Sequence, residues 1–253
     1  MKNVLLGGRA LCKTFSQTGG NARVLDKIDI ELYENDFTVI MGASGAGKST
    51  LLYALSGMDS VTGGELTYKG RKINGLSEKE MAFLRANEFG FVFQQTHLVS
   101  NLTLFENVAV AGYAGKAHSP KEVEQTAAAV LEAMHLQGAR NRLPAQVSGG
   151  EAQRAAIARA MINDPGLLFA DEPTGALNKA NSEQVLDLLS ALNEAGQSIL
   201  MVTHDMRAAI RGNRILYLED GKLLDELPLP VFRKRDARER ETALGEWLTA
   251  LRW

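Results

Sequence analysis

One glycine-rich segment constrains the fold of this chain more than any other. It runs from Gly42 to Thr50 and contains Lys48 followed by Ser49. A short apolar run at 38–41 leads into it, and the apolar positions of a helix follow at 51–55. A buried strand, a loop of this kind and then a helix is the context that separates a phosphate-binding loop from a chance glycine-rich turn. The sequence therefore predicts an α/β core with a phosphate site.

In such a loop the backbone N–H groups cradle the phosphates of a nucleotide. Lys48 would neutralise charge on the β- and γ-phosphates, and the Ser49 hydroxyl would ligate Mg²⁺. ATPases and GTPases share this pattern, so taken alone it predicts a bound nucleotide and Mg²⁺. The predicted nucleotide-binding residues of the loop are Gly42, Ala43, Ser44, Gly45, Ala46, Gly47, Lys48, Ser49 and Thr50.

Further runs fit the same core. Continuous apolar residues at 167–170 and 199–202 predict two more buried parallel strands, each ending in polar groups, where open α/β sheets bind ligands. Alternating apolar and charged residues at 24–32 predict a half-exposed antiparallel strand. Ser119, Pro120 and Glu122 have the spacing of a capping box that starts a helix. The stretch 95–147 is mostly helical in pattern and is predicted to be an insertion.

A second glycine pair lies in the sequence Ser148-Gly149-Gly150-Glu151, whose Ser148 is 100 residues after Lys48. It opens an apolar helix, and a helix start that no side chain obstructs is a ready anion site. One ATP needs only one such helix start. The second is therefore predicted to serve an ATP held by another copy of the chain.

Two adjacent acids, Asp171 and Glu172, end the apolar run at 167–170. Neighbouring residues on a strand point to opposite faces, so the two carboxylates are expected to have different roles. Asp171 suits Mg²⁺ binding and Glu172 suits polarisation of the attacking water. A solvated acidic turn before Pro173 is the alternative.

Three further side chains are ambiguous when taken alone. Gln94 follows an aromatic run, His204 follows the strand at 199–202, and Phe15 lies upstream of the phosphate loop. A glutamine or histidine at a strand end is more often structural than catalytic, and a phenylalanine is often a core residue.

The motifs occur in a fixed order: Phe15, 42–50, Gln94, 148–154, 171–172, 175–178 and His204. With this set the chain resembles the ATP-binding subunits of ABC transporters over residues 1 to about 225. The fold class implied is α/β, a P-loop ABC ATPase core with an antiparallel β subdomain and an inserted helical subdomain. The implied domains are an ATP-binding domain at 1–227, with the helical subdomain at about 95–160, and a tail at 228–253.

The resemblance also implies roles for the ambiguous residues. Phe15 would stack on adenine, Gln94 would touch both Mg²⁺ and water, and His204 would contact the γ-phosphate. The catalytic set is then Glu172, His204 and Gln94, and the Mg²⁺ set is Ser49, Gln94 and Asp171. Ser148, Gly149, Gly150 and Glu151 would form the signature that contacts ATP on the partner copy.

The amino-acid sequences of segments 40–48 and 169–177 resemble those of one branch of the family, which serves lipoprotein release, macrolide export and bacitracin-type peptide resistance. This implies an ATPase that forms a homodimer on binding ATP and works with a separate integral-membrane permease. One position departs from the family pattern. Asn178 stands where the family usually has an aspartate that contacts the partner copy, so the coupling between the two sites is in question. Glu151 replaces the commoner glutamine, a familiar variant in this branch.

Composition narrows the remaining classes. The 253 residues carry a net charge of −2 without a block of five like charges, which argues against nucleic-acid binding. The single cysteine, Cys12, excludes an intramolecular disulfide and is expected to be buried. No apolar run is long enough to span a bilayer. We therefore expect no direct membrane insertion, and a cytoplasmic protein held on the inner face of the membrane through its permease.

Two other classes are alternatives: a soluble ABC ATPase of DNA repair or translation, and a non-hydrolysing interaction module. A soluble ABC ATPase of DNA repair would need a long coiled coil between the two glycine motifs, where no sustained heptads occur. A translation factor of the family would carry two ATPase units, and the length allows one. A non-hydrolysing interaction module would be expected to lose Lys48 or Glu172, and both are present.

The tail is not explained by the resemblance. Leu244, Trp247, Leu248 and Leu251 recur at helical spacing and follow a short basic cluster at 233–240. Packing on the chain itself or within the homodimer, docking on a partner subunit, and binding to anionic lipid are the three alternatives.

Overall fold

The computed structural model describes residues 2–17, 20–115 and 119–251. Within these ranges the strands are β1 (Val4–Gln17), β2 (Gly20–Tyr33), β3 (Phe37–Met41), β4 (Gly63–Tyr68), β5 (Arg71–Lys72), β6 (Phe89–Phe93), β7 (Leu167–Asp171), β8 (Ser198–Val202), β9 (Arg214–Glu219) and β10 (Lys222–Pro228). The helices are α1 (Lys48–Leu55), α2 (Glu78–Glu88), α3 (Leu104–Ala114), α4 (Pro120–Ala133), α5 (Gly149–Met161), α6 (Lys179–Glu194), α7 (Met206–Ala209) and α8 (Ala237–Ala250). The last two residues of the predicted tail lie outside the described residues.

The chain divides into two compact units. The first comprises Met1–Ser77 and Asn193–Trp253, and the second comprises Glu78–Leu192. The second unit is therefore larger than the helical insertion expected at about 95–160, because it also includes β6, β7 and α2.

The first unit holds two groups of strands. An antiparallel sheet has the order β2-β1-β4-β5, and the other group has the order β10-β9-β3-β8, with β3 parallel to both β8 and β9. Every residue of β3 and β8 is buried, as the continuous apolar runs predicted. In β2 the apolar Ile28, Ile30 and Leu32 are buried while Asp29 and Glu31 are exposed, which confirms the predicted alternation.

Cys12, on β1, is half-buried rather than buried. The burial inferred from its apolar neighbours was wrong, because successive residues of a strand face opposite sides of the sheet. Leu11 is fully buried beside it.

In the second unit β6 pairs with β7 in parallel, and α3, α4 and α5 pack on one another. The predicted capping box at Ser119 is present, since its side chain accepts from the Glu122 N–H and Glu122 in turn accepts from the Ser119 N–H. Asn163 joins two helices because its Nδ2 donates to Ala86 O in α2 and to Ala111 O in α3, each at 2.9 Å.

The tail packs on the first unit. Leu244 and Leu248 of α8 are buried, and Trp247 Nε1 donates to Asp225 Oδ2 at 2.8 Å. Of the three alternatives for the tail, packing on its own chain is the one observed. None of the helices in the described residues has the length and apolar composition that a bilayer span requires.

Candidate nucleotide site

The glycine loop follows β3 directly and is shaped by close approach of the backbone. Gly42 has a φ of 156°, and a Cβ at this position would overlap the carbonyl oxygen of Leu218 on the neighbouring strand. Gly47 has a φ of 99° and forms the N-cap of α1 without a side-chain hydrogen bond. The start of α1 therefore offers backbone N–H groups at the positive end of a helix, as an anion site requires.

Lys48 lies against this loop. Its Nζ donates to Gly42 O at 2.8 Å and to Ala43 O at 2.9 Å. The ammonium group is thus held at the mouth of the loop, where it is placed to meet an incoming phosphate. Ser49 follows on the first turn of α1 and is half-buried.

His204 belongs to the same end of the first unit. It lies two residues after β8, which is parallel to β3 and pairs Val202 with Ile40. The Thr203 N–H donates to Ile40 O at 3.2 Å, and the His204 side chain is exposed. The carboxyl ends of β3 and β8 therefore bring the phosphate loop and His204 to one edge, where α/β sheets bind ligands.

Phe15 lies on β1 with 39% of its surface exposed, so it is not a core residue. The Lys13 Nζ lies 4.9 Å from the centroid of its ring and also pairs with Asp59. An exposed aromatic ring is free to stack on a base, which keeps adenine stacking as the prediction for Phe15.

In the second unit, Gln94, Asp171 and Glu172 lie at the carboxyl ends of the paired strands β6 and β7. Phe93 pairs with Asp171, and Gln94 follows at once. Glu172 is outside the strand and has a φ of 47°, and its carbonyl accepts from the Gly175 N–H at 3.0 Å. A Cβ on Gly175 would lie 3.0 Å from Gln94 Nε2, so the Gln94 amide lies against this turn.

Asp171 is therefore the last residue of the strand, and Glu172 begins the turn that follows it. The prediction used the alternation of side chains along a strand, which applies only as far as Asp171. At Glu172 a left-handed backbone sets the direction of the side chain, and a non-glycine residue in this region is costly and concentrates at functional sites.

The start of α5 differs from the prediction of an unobstructed helix end. Ser148 Oγ accepts from the Glu151 N–H at 3.2 Å and donates to Glu151 Oε2 at 2.8 Å, while the Ser148 N–H donates to the same Oε2 at 2.8 Å. These hydrogen bonds from Ser148 lower the pKa of Glu151, so its carboxylate is charged at neutral pH. The spacing Ser-x-x-Glu is that of a capping box, and it occupies part of the helix end.

The two glycines of this motif have different surroundings. A Cβ on Gly150 would lie 2.7 Å from Asn181 Cγ, so the close approach of α6 requires a glycine there. Gly149 is exposed, and a Cβ there would meet only Leu177 Cδ2, at an ordinary 3.4 Å. Packing within the chain therefore explains Gly150 but does not explain Gly149.

Two residues that the sequence analysis left without a role hold the segment around Gln94. The buried Gln153 of α5 donates from Nε2 to Phe93 O at 2.9 Å. Arg159 donates to Thr96 O at 2.8 Å and to His97 O at 2.7 Å. Both contacts join residues about 60 positions apart, so no local pattern indicates them.

Asn178 caps α6. Its Oδ1 accepts from the Asn181 N–H at 2.9 Å, and its carbonyl accepts from the Ser182 N–H at 2.9 Å. Asparagine and aspartate are equally good at this position, so the cap itself gives no reason to prefer one of them.

A match to a protein-family model shows which family this chain belongs to. The model of the ABC transporter family matches residues 25–175, which is more than half of the chain. The chain belongs to the ABC transporter family.

Two dimeric structures of MJ0796, a bacterial ABC transporter cassette, are similar to this ABC chain. Each is 37% identical and is matched over 90% of this chain and 100% of its own length, with TM-scores of 0.82 and 0.83. The first of them is a post-hydrolysis state bound to ADP and Pi. The fold is also similar to that of cbiO1 from Clostridium perfringens, which is part of the ABC transporter complex cbiONQ. The two chains are 23% identical, with a TM-score of 0.78, and the match covers 89% of this chain and 88% of cbiO1.

These matches confirm the predicted fold class, a mixed α/β ABC ATPase with an antiparallel β subdomain and helical parts. The chain is an ATP-binding cassette and an ATPase. The phosphate loop fits this substrate, since a Cβ on Gly42 is excluded and α1 starts without a side-chain cap.

Proposed function

We propose that this ABC ATPase is the energy-supplying subunit of a membrane transporter, and that two copies bind two ATP molecules between them. Each ATP lies between the phosphate loop of one copy and the signature at 148–151 of the other. The observation that carries this proposal is Gly149, an exposed glycine at a helix start that neither φ nor packing within the chain requires. The dimeric MJ0796 structures, at 37% identity, support it.

Within one ATP site, the proposed roles are those that the family pattern implies for these side chains. The phosphate loop binds the β- and γ-phosphates with its backbone N–H groups and with Lys48, and Phe15 stacks on adenine. Glu172 accepts the proton of the attacking water as the water oxygen bonds to the γ-phosphorus and the bond to the ADP oxygen breaks. His204 contacts the γ-phosphate and supports the charge that it develops.

The donor set also fits Mg²⁺, which prefers oxygen ligands. Ser49, Asp171 and Gln94 would hold the ion with a hydroxyl, a carboxylate and an amide oxygen. Bound with ATP, Mg²⁺ neutralises charge on the phosphates.

A mixed dimer tests the shared sites. Ser148→Arg damages the signature and Lys48→Ala damages the phosphate loop, so each homodimer has a fault in both sites. A dimer with one copy of each has one intact site and one site with both faults. We expect ATP hydrolysis by the purified mixed dimer to exceed that of either homodimer.

If each ATP site were complete within one copy, every chain of the mixed dimer would carry its own fault and mixing would restore nothing. A second pairing gives the control. Lys48→Ala combined with a differently tagged Lys48→Ala copy should remain as inactive as its homodimer.

The amino-acid sequences of segments 40–48 and 169–177 support membership of the branch that serves lipoprotein release, macrolide export and bacitracin-type peptide resistance. In this proposal the substrate and its direction are set by a separate permease, which also holds the ATPase at the inner face of the membrane. The helices do not favour a DNA-repair ATPase with a long coiled coil, because the longest described helix between Lys48 and Ser148 is α4, with 14 residues. A permease gene beside the gene of this chain, and its co-purification with the ATPase, would support the transporter.

An apolar patch on the second unit is our candidate for the permease contact. It is formed by Phe83, Val99, Val110 and Tyr113, whose exposed fractions are 67%, 48%, 53% and 51%. Val110 and Tyr113 are three residues apart on α3 and so share a face. Asn163 ties α2 to α3, and Asn107 Oδ1 accepts from the Val99 N–H at 2.7 Å, which ties the loop to α3.

A further inference from the structure

The tail helix α8 buries a charged residue as well as its leucines. Arg240 is only 4% exposed, beside Leu244 at 0% and Leu248 at 2%. A buried charge is costly unless its hydrogen bonds are satisfied. The helical pattern of apolar residues explains Leu244 and Leu248, but it gives no reason for an arginine on the buried face.

The guanidinium of Arg240 binds three backbone carbonyl groups. Nε donates to Ile210 O at 2.7 Å, Nη1 donates to Pro230 O at 2.6 Å, and Nη2 donates to Gly212 O. The ring of Phe232 lies 5.5 Å from it. Since Ile210 is the C-cap residue of α7, Arg240 supplies donors at a helix end whose last carbonyls have no partner within the helix.

Helix α7 begins two residues after His204. Asp205 forms its N-cap by accepting from the Arg207 N–H at 2.9 Å, and the Asp205 N–H donates to Thr203 Oγ1 at 3.0 Å. The backbone of His204 is thus held between Thr203 and α7. Four residues are too few for a helix to be stable alone, so α7 depends on its neighbours for its position.

Arg240 therefore fixes one end of the segment whose other end carries His204. The tail also packs on the N-terminal end of α7, where a Cβ on Gly245 of α8 would lie 3.7 Å from Met206 Cε. Trp247 of α8 packs edge-on to Tyr217, at 6.2 Å between ring centroids, and Tyr217 pairs with Met41, which precedes the glycine loop. The tail thus contacts elements next to both nucleotide-binding parts of the first unit.

We propose that Arg240 is a positioning residue for ATP hydrolysis, which acts by clamping α7 so that His204 keeps its place at the end of β8. This rests on the proposed function, in which His204 contacts the γ-phosphate. The tail is then required for turnover and not only for the stability of the fold. ATP binding, which the phosphate loop and Phe15 provide, should not depend on the clamp.

The test uses the full-length protein with Arg240→Met, which keeps the aliphatic stem but removes every donor. A misplacement of about 1 Å in a catalytic group can cost about 100-fold in rate. We expect kcat for ATP to fall by about 10- to 100-fold while KM stays within about twofold. Arg240→Lys, which retains a charge and can reach one or two of the three carbonyls, should give an intermediate kcat and also serves if Arg240→Met does not fold.

Leu244→Ala is the matched control, because it weakens the same buried face of α8 without removing a donor to α7. It should lower the melting temperature and leave kcat near that of the unmodified protein at a temperature where it is folded. An equal loss of kcat in Leu244→Ala and in the Arg240 variants, at an equal loss of melting temperature, would reduce Arg240 to a stability role.

A double-mutant cycle separates the two proposals. If Arg240 acts through His204, then Arg240→Lys should lower kcat little further in a His204→Ala background. Multiplicative losses would overturn the clamp while leaving His204 in its role. If His204→Ala alone has an unchanged kcat, the proposed role of His204 fails first.

Discussion

At the scale of single residues, the backbone conformation of Glu172 bears on its proposed role in catalysis. The strand β7 ends at Asp171. Glu172 follows with a left-handed backbone, at a φ of 47°, so the direction of its side chain is not set by the alternation along the strand. Such a conformation costs about 1–3 kcal/mol in a non-glycine residue. The same conformation occurs at Asp220 in the turn between β9 and β10, so it does not by itself mark a catalytic residue. Its position directly after Asp171 keeps Glu172 our candidate for the residue that polarises water.

Glu172→Gln keeps the shape of the side chain but removes its ability to accept a proton. ATP binding should be retained, and hydrolysis should slow at least about 100-fold, so that an ATP-bound dimer accumulates. Turnover and size-exclusion chromatography with ATP measure the two effects. Glu194→Gln, at an exposed position at the end of α6, is the control and should behave like the unmodified protein. Near-normal turnover in Glu172→Gln would remove this residue from the role of base.

Asn178→Asp tests whether the departure from the family pattern weakens coupling between two ATP sites. Aspartate caps a helix as well as asparagine does, so the melting temperature should not change. The added charge should raise the rate or the Hill coefficient of ATP hydrolysis, by up to about fivefold in rate for an exposed charged contact worth about 1 kcal/mol. An unchanged dependence of rate on ATP concentration would show that Asn178 already fills the role.

Much of the geometry of the glycine-rich segment was predictable because it is local in sequence. The segment 42–50 joins a strand to a helix as predicted, Gly42 has no room for a Cβ, and Lys48 folds back on the loop. The Ser148–Glu151 capping box is equally local and has the same spacing as the one predicted at Ser119. Its two middle residues are glycines, which also fit an unobstructed helix start, and that interpretation was the one predicted. Arg240 could not be predicted, because its partners are carbonyls about 10 to 30 positions away and a carbonyl leaves no trace in a sequence.

At the scale of elements, the proposed ATP site uses two helix starts, one from each copy, and they differ in how they are capped. The start of α1 has no side-chain cap, whereas α5 is closed by Ser148 and the charged Glu151. A phosphate at α5 therefore has to compete with Glu151 for the Ser148 hydroxyl. Strands β3, β7 and β8 were predictable from apolar runs alone. The strand β6, on which α5 packs, was not predicted, and neither was the extent of the second unit, since it depends on contacts between distant segments.

The two glycines of α5 give a paired test of the shared site. Gly149→Ala meets no close neighbour within the chain and replaces glycine by a better helix former, so the melting temperature should stay equal or rise. ATP-dependent dimerisation and hydrolysis should nevertheless fall, by at least about 10-fold if a contact worth about 1.4 kcal/mol is lost. A variant that hydrolyses ATP normally would show that no partner approaches this glycine.

Gly150→Ala is the internal counterpart of that test. Its Cβ would lie 2.7 Å from Asn181 Cγ and 3.0 Å from Asn181 Cβ, so α5 and α6 would have to move apart. We expect a lower melting temperature, corresponding to about 1–3 kcal/mol. The two adjacent substitutions should therefore have different effects. Gly149→Ala should impair assembly with ATP, and Gly150→Ala should lower the stability of the single chain.

At the scale of the whole molecule, we propose that this ABC ATPase works through a permease. The apolar patch has four exposed side chains on α2, α3 and the loop between β6 and α3. Exposed apolar side chains are common at protein interaction sites, and aromatic residues carry much of the energy there. Because the patch is held by Asn163 and Asn107, it does not need to be ordered by the partner.

Phe83→Ser and Val110→Ser should therefore weaken assembly with the permease without changing ATP hydrolysis by the isolated subunit. Loss of an aromatic anchor at an interface centre costs about 2 kcal/mol or more, or roughly 30-fold in Kd. Leu224→Ser is the matched control, since Leu224 is 50% exposed but lies on β10 of the first unit. Co-purification of tagged ATPase with permease in detergent measures the effect. If Leu224→Ser weakens the complex and Phe83→Ser does not, or if Phe83→Ser changes only self-association of the ATPase or its binding to lipid vesicles, the permease does not bind at this patch.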